Sequence, residues 1–176
     1  MARTAKLDLR VFQQELAARL ANKTAAQVES SRLGLASAGT NWLIRLSDAG
    51  EVIAVPPIAA VPLTKPWFAG IANVRGNLYS IVDFAGFLGQ SAPPAHGTGG
   101  QSRLVLFGAR SGEMRAGILV QRVVGLRNLT ELEAAPPVDD APDWFVQRWQ
   151  DDVGTAWQEI DLARLAHAPA FLQVGL

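Results

Sequence analysis

The chain has 176 residues and a mass of 18.8 kDa, which fits one domain or two closely packed small ones. Its 16 basic and 16 acidic side chains cancel, so no whole-molecule field favours nucleic acid or an anionic membrane. It has no cysteine, which excludes disulfides, thiolate metal sites and thiol nucleophiles and fits a reducing cytoplasm.

Residues 1–30 read as an N-terminal helical extension. The opening MARTAKLDLR lacks the apolar run of a signal peptide. Leu9, Phe12, Leu16 and Leu20 then recur at helical spacing, with Arg10, Gln14, Glu15 and Arg19 between them, and form one amphipathic stripe. Left in water, each of these side chains would forfeit about 1.5–3 kcal/mol, and a lone helix of this length is marginal. The expected cover is the protein's own first barrel, reached through the polar run Ala21 to Ser31. A partner molecule is the alternative cover.

From Ser31 the texture turns to short strands: Arg32–Ala36, Trp42–Leu46, Val52–Val55, Ile71–Arg75 and Leu78–Val82. Gly76-Asn77 reads as a tight hairpin turn, because both residues tolerate positive φ. Pro56, Pro57, Pro62 and Pro66 confine their segment to edges and bends, and they break Val52 to Thr64, which is too short to span a bilayer. A soluble protein with no membrane insertion is expected. Residues 89–101 form a Gly, Ser and Ala-rich linker; Gly97-Thr98-Gly99-Gly100 within it is no phosphate loop, since a strand rather than a helix follows.

Beyond the linker the first half repeats. Ser31-Arg32-Leu33-Gly34-Leu35 resembles Ser102-Arg103-Leu104-Val105-Leu106, Trp67-Phe68 recurs as Trp144-Phe145, and Val82-Asp83-Phe84-Ala85 recurs as Ile160-Asp161-Leu162-Ala163. Each half, about 31–88 and 102–166, then holds some five strands and ends in an aspartate N-cap and a short helix, Phe84–Leu88 or Leu162–Ala166. Capping is the expected work of Asp83 and Asp161. Short strands avoid exposed edges by closing. The fold expected is therefore mainly β, with two small closed or nearly closed sheets.

No catalytic set emerges. His96 and His167 have no second ligand at metal spacing, no Gly-x-Ser-x-Gly occurs, and Asp139-Asp140 and Asp151-Asp152 read as solvated turn residues. Neither a metal nor a cofactor is expected. The arginines Arg103, Arg110, Arg115, Arg122 and Arg127 are scattered among acids, so an oligonucleotide-binding barrel has little electrostatic support. A strand-built chain of this kind is expected to work through its surfaces rather than as an enzyme.

The segment WFAGIANVRGNLYSIVDFAGFLG, Trp67 to Gly89, resembles the signature of CheW-like adaptor domains. Gly70, Ile71, Asn73, Val74, Arg75 and Gly76, followed by Ile81, Val82, Asp83 and Phe84, carry the likeness, and Glu51-Val52 resembles an earlier Glu-Val/Ile step of that family. The Pro-rich EVIAVPPIAAVPLTKPWFAG looks most like the PilI branch, the adaptors of type IV pilus chemosensory systems. Ser80 departs from the proline that many relatives have there. The likeness covers residues 31–170 and leaves the N-terminal helix outside.

The resemblance implies two five-stranded barrels, between which strands can be exchanged, and no enzymatic activity. It also implies an adaptor that bridges the cytoplasmic tip of a chemoreceptor to the regulatory domain of a CheA-like histidine kinase in a cytoplasmic, receptor-recruited array controlling twitching motility. The rival expectation is a small-ligand or oligonucleotide-binding barrel. Glu51 and Arg75 are expected to face each other across neighbouring strands, orienting the guanidinium for a partner. Val52, Ile53, Val55 and Ile58 are expected to offer an apolar docking edge, although alternation marks a face without saying which face is inside. Asn73 joins the partner-binding set through the motif.

Overall fold

The computed structural model describes residues 26–90 and 100–176, together with 14, 15 and 18. Leu9, Phe12, Leu16, Leu20 and His96, and with them the expected docking of the N-terminal stripe, lie outside the described residues. Residues 26–30 are helical and lead directly into the first strand.

The first half supplies β1 (Ser31–Ser37), β2 (Thr40–Arg45), β3 (Ala49–Ala54), β4 (Phe68–Val74), β5 (Asn77–Asp83) and the short helix α1 (Phe84–Phe87). The second half supplies β6 (Arg103–Phe107), β7 (Ala116–Val120), β8 (Arg122–Asn128), the two-residue β9 (Glu133–Ala134), β10 (Phe145–Gln150), β11 (Ala156–Ile160), α2 (Leu162–His167) and α3 (Pro169–Leu172). Asp83 and Asp161 cap their helices as expected: Asp83 accepts from the Ala85 amide at 3.2 Å and Asp161 from the Arg164 amide at 3.0 Å.

Two sheets form, in the order β8-β1-β2-β11-β10-β9 and β3-β6-β7-β5-β4. The sequence repeat matches β1, β2, β3, β4 and β5 with β6, β7, β8, β10 and β11. Under that matching the sheets have the same order apart from β9, because each combines the first two strands of one half with later strands of the other. The local details repeat too. Trp67 O accepts from Asp83 N at 2.8 Å, as Trp144 O does from Asp161 N at 2.9 Å. Bulges fall just after Phe68 and Phe145. Strands of different halves meet in the parallel pairs β5·β7 and β2·β11 and in the antiparallel pairs β3·β6 and β1·β8. The boundary between the two halves of the chain is therefore not a boundary between the sheets.

The expected closed barrels do not form: among the described residues no ladder joins β3 to β4 or β8 to β9, and the sheets are open, with five and six strands. The prolines explain it. Pro56, Pro57, Pro62 and Pro66 lack the amide needed for a ladder, so the segment between β3 and β4 makes only isolated bridges, Ala59 to Ile71 and Thr64 to Gly175. Gly70 permits the first of them. Its φ is +132°, and a Cβ there would lie 2.1 Å from the Ala59 carbonyl oxygen. In the other sheet, Ala135 still donates to the Arg148 carbonyl at 2.9 Å, and Pro136-Pro137 after it end the pairing, so β9 has two residues.

Strand alternation serves three cores. Trp42 and Ile44 of β2, Val105 and Phe107 of β6, and Ile118 and Val120 of β7 meet between the sheets. Leu104, Leu106 and Leu119, pointing the other way, fill a second core with Ile81 inside the five-stranded sheet. Leu43, Leu132 and Trp157 form a third within the six-stranded sheet. Because β7 is packed on both faces, it is buried throughout and reads as a continuous apolar run. Trp67 and Trp144, the repeat anchors, both reach Phe87 of α1, at centroid distances of 5.3 and 6.2 Å. Phe171 of α3 closes this aromatic cluster against Phe87 at 5.5 Å and Phe107 at 5.6 Å.

Candidate functional site

Glu51 and Arg75 do pair, through two hydrogen bonds: Arg75 Nη2 donates to Oε1 at 2.6 Å and Nη1 to Oε2 at 2.9 Å. They do not sit on neighbouring strands. Glu51 is on β3 and Arg75 follows β4, and these are the opposite edges of the five-stranded sheet. The side-chain pair thus spans a gap that no ladder closes. The Arg75 side chain is 75% exposed and that of Glu51 37%, so the pair contributes at most about 1 kcal/mol.

What the pair does is hold a guanidinium in a set direction. Arg75 and Gly76 have φ of +52° and +85°, which makes them the two central residues of the β4–β5 hairpin turn. The turn lies one residue before the expected Gly76-Asn77, since Asn77 already pairs with Val74. A left-handed arginine costs about 1–2 kcal/mol. Asn73 offsets part of that, its Oδ1 accepting from the Gly76 amide at 2.8 Å. Asn73 is therefore the residue that shapes the turn, and Arg75 is the residue the turn displays.

The apolar candidates divide by face. Ile53, Val55 and Ile58 pack against the inner core of the five-stranded sheet. Val52 is outward, with Ala54 beside it on the same face. Leu78, opposite Asn73 in the hairpin, is 60% exposed. The structure thus brings Glu51, Asn73 and Arg75 together, leaves Val52 exposed on the face of β3 opposite to Glu51, and turns Ile53, Val55 and Ile58 toward the core.

The other titratable groups are structural in place. Asp139 and Asp140 are exposed turn residues. Asp151 organises the β10–β11 turn, accepting from the Thr155 amide at 2.7 Å and from Trp157 Nε1 at 3.2 Å. Desolvation pushes its carboxyl up, but these hydrogen bonds outweigh it and hold the carboxyl below its ordinary 3.8. His167 Nδ1 lies 2.7 Å from the Ala163 carbonyl. Among the described residues no three His, Asp or Glu side chains converge as metal ligands, and no helix is long and apolar enough to cross a membrane.

One polar network escaped the reading of residue types. Arg32 Nε donates to Glu159 Oε1 at 2.6 Å, and Trp149 Nε1 donates to Oε2 at 2.8 Å. Arg32 is 6% and Glu159 2% exposed. The available signal was Glu159 itself, the sole charge in AWQEI, standing where the repeat has the buried Ile81.

An open two-sheet protein that displays a charged hairpin with an exposed leucine has the build of a binding module. The profile of the CheW-like domain matches residues 33–170, and the chain belongs to that family. It is 33% identical over 135 residues to protein PilI of Pseudomonas aeruginosa, covering 73% of each chain. The crystal structure of the scaffolding protein TtCheW from Thermoanaerobacter tengcongensis superposes with a TM-score of 0.65 at 20% identity, over 83% of this chain and 97% of that one. That likeness concerns the fold.

Proposed function

We propose that this chain is a non-enzymatic, cytoplasmic adaptor that couples the cytoplasmic tip of a chemoreceptor to the regulatory domain of a CheA-like histidine kinase in a system controlling type IV pili. Membership of the CheW-like family and the identity to PilI support the assignment. The observation that carries it is Arg75, held in a left-handed turn by Asn73, fixed in direction by Glu51 and yet three-quarters exposed. A residue strained into place and left in solvent serves something outside the molecule. Its planar fork can take a partner carboxylate or carbonyl in two places, and Leu78, paired with Asn73 in the same hairpin, adds exposed apolar area.

The test is calorimetric titration of the protein and of its Arg75→Ala variant with a receptor tip fragment and with the kinase regulatory domain. Loss of about tenfold or more in affinity for one of them is expected, from the loss of hydrogen bonds to a charged group. Unchanged affinity for both would remove Arg75 from the interface. Failure of the unaltered protein to bind either fragment would overturn the adaptor reading itself.

A further inference from the structure

The six-stranded sheet has an open edge beside the point where the N-terminal residues join it. β8 is its outermost strand and, among the described residues, pairs with β1 alone. The register sets Val123 opposite Leu35 and Leu126 opposite Leu33, and the bulge between those pairs keeps both on the side of the core between the sheets. Val123 still packs against that core. Leu126 carries the same apolar row past its rim and is 58% exposed. A long edge strand bearing apolar side chains is normally covered, because its unpaired amides and carbonyls otherwise recruit another chain.

The chain itself supplies a cover of the right size in the right place. Residues 26–30 run into Ser31, which pairs with Asn128 at the end of β8, and Val28 there is 48% exposed. Upstream stands the stripe Leu9, Phe12, Leu16 and Leu20. Residues 14, 15 and 18 are helical and exposed. At about 100° per residue they fall on the side of a helix opposite the stripe, so it is the side away from the stripe that faces solvent. A helix over residues 9–20 is about 18 Å long, and the seven residues of β8 span about 23 Å. Residues 21–25 between them are enough for a chain reversal.

We infer that the N-terminal helix folds back along β8 and seats its stripe on Leu126 and Val123, which extends the core between the sheets by one layer and closes the edge. Leu20 then lies toward Leu126 and Leu9 toward Val123. Charge suits that direction. Arg19 and Lys23 come beside Glu29 and Glu131, both exposed, while at the far end Asp8 and Arg10 together add no charge beside Arg103 and Arg122. Residues 1–25 carry five basic side chains against Asp8 and Glu15, a net charge of +3, and because the whole chain is neutral the rest carries −3. The cover and the body therefore attract.

The chain has no cysteine, so Ala18→Cys gives a single site for a nitroxide label on the outer side of the helix, about one helix diameter of 10–12 Å from β8. The expected result in the full chain is selective broadening of the amide resonances from Val123 to Asn128. Phe12→Asp with Leu16→Asp should abolish it, and so should Leu126→Asp, which replaces an exposed side chain and leaves the fold intact. Broadening centred instead on Leu63, Leu172 and Leu176, exposed leucines at the place where the Leu176 amide donates to the Leu63 carbonyl, would overturn the proposal. An unbroadened β8 would do the same. So would broadening that appears only when labelled and isotope-enriched chains are mixed, since a second copy would then occupy the edge. No partner protein enters the experiment, so its outcome is independent of the adaptor reading.

Discussion

Replacing Arg32 by methionine should be among the most damaging single changes in the six-stranded sheet. Arg32 is 6% exposed, Glu159 is 2% exposed, and their atoms lie 2.6 Å apart. Methionine fills much of the same volume but leaves a buried carboxylate with only the Trp149 indole as donor. Breaking a buried pair in this way costs about 3–5 kcal/mol, or about 10 °C in Tm for a chain of this size. Glu159→Leu should cost less, since Arg32 keeps the carbonyls of Glu29 at 2.6 Å and Ser31 at 3.2 Å. The double variant removes both charges and leaves only the Trp149 N–H unpaired, at about 1–3 kcal/mol. It should therefore be more stable than Arg32→Met alone. Urea denaturation of the four proteins gives the coupling energy directly. A double variant as unstable as the sum of the singles would refute the argument, because the two side chains would then be acting independently.

Arg75→Ala should change stability by less than about 1 kcal/mol, given the exposure of the pair, so a large drop in Tm would show that the pair closes the sheet rather than serving a partner. Gly70→Ala should destabilise by about 3 kcal/mol, because the clash is with backbone and φ is +132°, and a melting curve like that of the parent would contradict it. Phe171→Ala should cost about 3–5 kcal/mol by opening the aromatic cluster under α3; a loss below about 1 kcal/mol in denaturant titration would mean that the C-terminal helix is dispensable. Asp151 has its carboxyl pKa depressed by folding, so its support of the β10–β11 turn is complete above 3.8 and is lost as pH falls through the lower folded value. The Thr155 amide and Trp157 indole resonances should titrate with a midpoint below 3.8, and a midpoint above it would be inconsistent with these hydrogen bonds.

Features that depend on near neighbours are legible along the chain. The strands from Arg32 to Val82 follow from apolar runs and punctuating turns, and the helix caps at Asp83 and Asp161 follow from one side chain meeting an amide two or three residues on. The repeat was also legible, and it survives as the matched strand orders of the two sheets. Resemblance over Trp67 to Gly89 pointed to the family, and the Glu51–Arg75 pair with it. Even so, the turn falls one residue before Gly76-Asn77, because Arg75 takes a left-handed conformation that its own side chain disfavours. Which strands adjoin is settled by long-range packing. Alternation with period two marks the two faces of a strand but says nothing of its neighbours or of which face is inside. For that reason the exchange of β1-β2 and β6-β7 between the halves, the inward turn of Ile53, Val55 and Ile58, and the open sheet edges lay beyond a reading of local pattern. The same holds for side chains joined across long separations. Arg32 and Glu159 are 127 residues apart, and Arg45, Arg110 and Arg164 reach Asp161 from β2, from the turn after β6 and from α2. Such pairings exist only once the strands carrying them have been brought side by side, and no spacing along the chain encodes that adjacency.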